Sequence, residues 1–199
     1  LARVKVKFPA ISDKLESNWA RLVTPMAGPG RGFEFIPEVN DEVLVAFENG
    51  DINKPYVLGS LWNGKDKPPE ESNKIVASNG KVQKRIIHSS SGHSITIDDT
   101  EGKEKISIVD KTGKNSINID SNGNQIAIKT EGDIQMDAKG KIMIKGSDIT
   151  MEAKSAARMK GASVDLDASG KAKVKGSSVD IKATGQMNLE SSAQATVKG

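Results

Sequence analysis

The last third of the chain repeats itself. From residue 126 onward, apolar residues come in pairs two apart, and successive pairs start seven or eight residues apart. Ile134/Met136, Ile149/Met151, Val164/Leu166 and Val179/Ile181 recur in steps of 15, since 149 − 134 = 15. Ile142/Ile144, Ala157/Met159, Ala172/Val174 and Met187/Leu189 form an interleaved series with the same step. Gly146, Gly161 and Gly176 keep that step, as do Gly170 and Gly185. Two apolar residues at i and i+2 share one face of a strand, and the polar residue between them faces away. Each unit is therefore one short strand and one turn, and such units fold as a solenoid-like array.

Two apolar residues in about eight make little core, whereas a single-chain β-helix devotes around 20 residues or more to each coil. Three units, roughly 23 residues, would close a triangular coil in one chain. Three chains wound together would form the same triangle, each supplying one strand per layer. The second arrangement needs no capping face and satisfies each strand's backbone groups through neighbours from other chains. It is the one favoured. The side chains expected at its shared axis are Ile134, Met136, Ile142, Ile144, Ile149, Met151, Val164, Leu166, Val179, Ile181, Met187 and Leu189.

A chain of 199 residues allows one or two domains. Its 29 basic and 26 acidic residues leave a net charge of +3, without the clustered basic patch of a nucleic-acid binder. It has no cysteine, hence no disulfide and no thiolate metal site. No run of about 18 apolar residues exists for a membrane-spanning helix. The chain opens on Leu1 and enters strand-like sequence at once, so a preceding segment is expected. Every aromatic except Phe8 lies between Trp19 and Trp62, and residues 63–199 contain none. That shift marks a domain boundary.

Strands are expected over residues 3–8 (RVKVKF), 19–23, 33–36, 42–48 (EVLVAFE) and 56–62, with a polar loop over 12–18 and an Asn49-Gly50 turn. Five short strands suit a small antiparallel barrel, and five is the strand count of the OB-fold. Residues 65–73 (KDKPPEESN) read as an extended linker. Residues 75–77 and 82–88 read as a hairpin, and SITID, KISIV and SINID follow with longer turns before the array tightens. Almost no helix is expected. The division is 1–64 for the barrel, 65–81 for linker and transition, and 82–199 for the repeat-built needle.

Several runs resemble the spike proteins of contractile injection systems: the VgrG proteins of type VI secretion, the spikes of phage-tail-like particles and phage baseplate spikes. They are ARVKVKFP (2–9), WARLVTP (19–25), AGPGRGFEF (27–35), PEVNDEVLVAFEN (37–49), GDINKPYVLGSLWNGKDKPP (50–69) and SGHSITIDD (91–99). The resemblance implies an all-β chain: an OB-fold barrel followed by an intertwined trimeric β-helix, a triangular β-prism needle. It implies a structural role, a homotrimer that punctures a target envelope, with hub proteins of the baseplate or tube at the N-terminal end. A PAAR-type tip protein is implied at the C-terminal end, on a platform including Met187, Leu189, Ala195, Val197 and Gly199. Such a spike is made in the cytoplasm, assembled into a particle and delivered outside or into the target cell, and it meets the membrane only transiently. No phage-type lysozyme domain or C-terminal His-x-His metal tip is present in the sequence. Two other readings are a trimeric tail fibre that binds glycans, expected to carry a distal aromatic-rich domain, and a β-helical polysaccharide-degrading enzyme, expected to have longer coils.

Other motifs read as structural. Ser89–Ser91, His93, Asp98 and Asp99 supply the letters of a hydrolase triad but lie along one loop and strand. His88 and His93 lack further metal partners. Asp110-Lys111-Thr112-Gly113 falls in a turn of the array. Gly28–Gly32 lacks the lysine of a phosphate loop. Asp165 and Asp167 share an outward strand face. Trp19, Phe33, Phe35, Phe47 and Trp62 are expected to fill the barrel rather than to stack on a ligand. No catalytic residue, cofactor or metal is expected.

Overall fold

Val4, Val6 and Phe8 alternate with basic residues, and the backbone follows that alternation with one break. The computed structural model describes residues 2–196 and splits the run into β1 (Arg3–Val4) and β2 (Lys7–Phe8). At the break, the Val6 N–H donates to Ser17 Oγ at 2.9 Å, and the Ser17 N–H returns to the Val6 carbonyl at 2.8 Å. Ser17 is buried, and its hydroxyl also donates to the Asn18 carbonyl at 2.7 Å. A buried hydroxyl with both roles filled carries no desolvation penalty and fixes the strand entry.

The chain divides into two units, residues 1–137 and 138–199. In the first, β1 and β2 are followed by β3 (Ser12–Glu16), β4 (Ala20–Leu22), β5 (Ala27–Gly28), β6 (Arg31–Gly32), β7 (Val43–Phe47) and β8 (Pro55–Ser60). A four-stranded sheet runs β1-β4-β8-β7, with β4 and β8 parallel and the other pairs antiparallel. β2 pairs with β3, and β5 with β6, as two short ribbons. Val6, Ala20 and Val57 form the core, with Val4, Phe8, Leu22, Val43 and Val45 packed around them.

Three local expectations fail here. Residues 12–18, expected as a loop, supply β3, because main-chain pairing to Lys7 and Phe8 and the reach of Lys5 and Lys7 to Glu16 (3.8 Å each) hold them. Residues 33–36 are not a strand; the glycine-rich run before them takes the hairpin as β5–β6 instead. The aromatics do not fill the barrel. Trp19, Phe33, Phe35 and Trp62 are at least half exposed, and only Phe47 packs inward, its ring 6.2 Å from that of Phe8. The small residues Val6, Ala20 and Val57 occupy the centre, with Phe8 and Leu22 packed beside them, so the indoles and the Phe33 and Phe35 rings are left outside.

Beyond the barrel comes a single helical turn, α1 (Ser72–Ile75), where linker and hairpin were expected, and then a bridge between Val76 and Val82. The second sheet is a meander of five antiparallel strands: β9 (Lys84–His88), β10 (Ser94–Asp98), β11 (Lys105–Val109), β12 (Ser116–Asp120) and β13 (Gln125–Lys129).

In the second unit, described to residue 196, there is neither helix nor strand. Among the described residues no backbone–backbone hydrogen bond lies within 138–196. The backbone is nevertheless periodic. Bends fall at 147, 162 and 177, and at 139–140, 154–155, 169–170 and 184–185. Both series step by 15 (162 − 147 = 15; 154 − 139 = 15), the period of the sequence.

Candidate functional site

The feature that most needs a partner is one face of the second sheet. Each strand contributes an isoleucine pair two apart, except β9, which offers Arg85 and Ile87. The register lines them up across the sheet. One row is Ile87–Ile95–Ile108–Ile117–Ile128, and the other is Arg85–Ile97–Ile106–Ile119–Ile126. Nine isoleucines thus share one surface, each between 40% and 71% exposed. Its upper row lines an open trough that also reaches Asp110, Asn115 and Asp133.

The opposite face is mostly polar, with Ile86, Val109 and Ala127 among its residues, yet it is the better covered. Thr96, Ser107 and Asn118 run across its centre in register. Ser107 and Asp98 are exposed by only 9% each. Beside them runs a row of alternating sign, Lys84–Asp98–Lys105–Asp120. Burial raises the Asp98 pKa, but hydrogen bonds from Thr100 and the charges of Lys84 and Lys105 outweigh it and hold the carboxyl below its ordinary value. Burial is therefore inverted: the sheet shelters its polar face and presents its apolar one.

The turns are locked by side chains. Asp110 accepts from the Thr112 hydroxyl at 2.7 Å and from the Asn115 N–H and Nδ2 at 3.1 Å each. Those bonds, the Thr112 hydroxyl first, bring its pKa down to about 2. Asn115 Oδ1 in turn accepts from the Thr130 hydroxyl at 2.6 Å. His93 ties two turns together: its N–H donates to Ser89 Oγ at 2.9 Å, and its Nδ1 accepts the Lys111 N–H at 3.2 Å. Asp98 bonds Thr100, and Asp99 pairs with Arg85, so neither carboxylate is bonded to His93 and the triad letters do not converge.

The twelve side chains expected at a shared axis, Ile134 through Leu189, are all 50–86% exposed in the single chain. They meet no intrachain core. The axial list expected from sequence begins at Ile134 and does not include the nine isoleucines, although the repeat-built division 82–199 covers their strands. The signal was present in SITID, KISIV, SINID and QIAIK, which carry the same i, i+2 pair.

The glycines of the array are of two kinds. A Cβ at Gly146, Gly161 or Gly176 would lie 3.1, 2.9 or 2.8 Å from the carbonyl oxygen two residues on. At Gly140, Gly170 and Gly185 it would meet nothing. Ser155 stands in the open series, where a side chain fits. Ser191 stands in the closed series, since 176 + 15 = 191, and there the corner changes. Its bend widens to 192–193, and the Ser191 hydroxyl accepts the Ala193 N–H at 3.4 Å. Gln194 and Thr196 also replace the apolar pair of the register. The plain repeat expected to run to the end therefore stops at Ser191. Of the residues expected to seat a tip protein, Met187, Leu189 and Ala195 are exposed, while Val197 and Gly199 lie outside the described residues.

Residues 1–62 match the family of type VI secretion system and phage-baseplate injector OB domains. The chain is similar to the type VI secretion system spike protein VgrG2a of Pseudomonas aeruginosa, 26% identical over 59% of this chain and 14% of that protein. It is similar to VgrG3, another such spike protein, of Vibrio cholerae, 37% identical over 34% of this chain and 7% of the relative. A third relative is the actin cross-linking toxin VgrG1 of Vibrio cholerae, 31% identical over 52% of this chain and 10% of the toxin. The chain thus spans a seventh or less of the length of these proteins, and its likeness is to VgrG-type spikes, with an injector OB domain at its start.

Proposed function

We propose that this chain belongs to the structural central spike of a contractile injection apparatus, and that three copies join along their repeats into one β-helical needle behind the OB domains. The observation that carries this reading is the inverted burial of the second sheet. Nine isoleucines on one face, with a mostly polar and better covered face behind them, describe one side of a prism whose interior is made by other copies. Covering a half-exposed isoleucine gains about 1 kcal/mol, so nine per chain give a strong drive to associate. Residues 138–196 ask for the same partner, because among the described residues they make no main-chain hydrogen bond.

In this reading the barrel faces the hub proteins of the baseplate or tube, and the needle's far end carries a separate PAAR-type tip. Sheath contraction drives the assembly through the target envelope. Strands pinned by neighbours from other copies resist being drawn out one chain at a time, which suits a part that transmits force. The role is structural. Ser89, His93, Asp98 and Asp110 spend their polar atoms on turns, and the toxin activity in one relative's name describes that protein.

Light scattering on the purified chain should give three times its 21.2 kDa mass. A monomer that keeps its β-sheet circular dichroism would overturn the three-copy needle.

A further inference from the structure

The repeats carry a second pattern, written in charge. Where Ile134 and Met136 face inward, residues 133, 135 and 137 face outward, and the same holds in every later unit. Take the units in two alternating sets, as the bends divide them. The first set is acidic outside: Asp133 and Asp137, then Asp148 and Glu152, then Asp165 and Asp167. The second set is basic outside: Lys141 and Lys145, then Arg158 and Lys160, then Lys171, Lys173 and Lys175. Counted by unit from residue 133 to 175, the outward charge runs −2, +2, −2, +2, −2, +3. The pattern ends in the next repeat, where Asp180 is offset by Lys182 and Glu190 stands alone among Gln186 and Asn188. Among the described residues, none of these charges forms an ion pair within the chain.

The alternation has a geometric meaning. Three copies around an axis place unit n once on each face of a layer, and the next layer places unit n+1 there. Neighbours across every ladder then differ by one unit and carry opposite signs. A coil of two units per turn would stack n on n+2, like sign on like sign, which is unfavourable. A slip of one copy by a single unit would do the same. A single-chain triangle of three units per turn would instead stack opposite signs, as the three-copy arrangement does.

Resting on the three-copy reading above, we infer that the outward charges of residues 133–175 are a pairing code between copies of this chain. Each acidic unit of one copy lies beside a basic unit of the next, which fixes strand order and rejects a one-unit slip. The apolar axis alone does not do this, because its pairs repeat every unit without regard to sign. Past residue 175 the code lapses, and Val179, Ile181, Met187 and Leu189 hold the end by burial alone.

The test is a salt titration of assembly on the full chain. A variant with Asp165→Lys, Asp167→Lys, Lys171→Asp and Lys173→Asp keeps the net charge but puts one repeat out of phase. Exposed charges are screened between about 20 mM and 500 mM salt. Added salt should therefore lower the thermal midpoint of the wild-type trimer, and lower that of the variant clearly less steeply, because one of its five neighbouring contacts is now like-signed and the last is weakened. A chain with all six units reversed in sign restores the alternation and should recover the wild-type slope. Equal salt slopes in all three proteins would overturn the code while leaving the trimer standing, and so would failure of the fully reversed chain to assemble at any salt. A monomeric wild type would instead remove the three-copy reading beneath it.

Discussion

Ile108 and Ile117 stand directly opposite each other in the β11–β12 ladder, and both lie on the apolar face of the sheet, 46% and 41% exposed. Their neighbours in sequence, Ser107 and Asn118, make the matching pair on the other face. A one-residue change of register would exchange the two faces completely.

Ile117→Asp should therefore abolish assembly, since three carboxylates would meet in an apolar interior at a cost of several kcal/mol each. Asn118→Asp, one residue on, should leave the mass in light scattering unchanged. Equal loss from both substitutions would show that the isoleucine face is not the buried one.

Gly161→Ala and Gly170→Ala should part company. The first drives a Cβ to 2.9 Å from the Ser163 carbonyl oxygen, a backbone atom that cannot swing aside, and the second meets open space. A backbone-incompatible alanine costs about 1 kcal/mol or more per chain, and the assembly carries three. Thermal melts should show a lowered midpoint for Gly161→Ala only; matched midpoints would mean that the corner opens in the assembled state.

Asp110 makes the turn between β11 and β12 acid-sensitive in one direction. Its folded pKa, about 2, lies below the ordinary value of 3.8. A depressed carboxyl adds stability above the unfolded pKa, and that stability is lost as pH falls toward the folded value. Asp110→Asn should lower the melting midpoint at neutral pH, and the gap to wild type should close between pH 3.8 and about 2. A gap that stays constant over that range would show that the carboxylate charge is not what holds the turn.

Removing residues 191–199 should leave the trimer intact, because the regular array ends at Ser191. The truncated spike should lose its tip protein in a pull-down with the cognate partner. Undiminished capture would move the docking platform elsewhere.

Much of this was legible in sequence because a strict period needs no tertiary context. The step of 15 in Ile134, Ile149, Val164 and Val179 reappears as bends in the backbone. The barrel was harder. β3 carries Ser12, Asp13, Lys14 and Glu16, a composition that argues for a loop, and only pairing to Lys7 and Phe8 makes it a strand. Trp19 and Trp62 looked like core because they are large, but a core of Val6, Ala20 and Val57 has no space for them. The isoleucine face was hidden by loop length. The turns after β10 and β11 are longer than those of the array, so SITID, KISIV and SINID read as its loose beginning and their isoleucines did not enter the axial set.

On the three-copy reading, the backbone of residues 138–196, which makes no main-chain hydrogen bond among the described residues, also bears on how such a chain would reach its final state. A segment with no hydrogen-bond partner of its own cannot fold alone, so its ordering is a reaction between molecules and its rate depends on their concentration. The β9–β13 meander closes by short turns between sequence neighbours and can form early, in each chain separately. On that reading it would serve as the nucleus on which three chains meet, and the repeats would zip from there toward residue 196, one layer at a time. Dissolution must run the same path backwards from the far end, so the lifetime of the finished needle is set by the speed of that unzipping rather than by an equilibrium between chains.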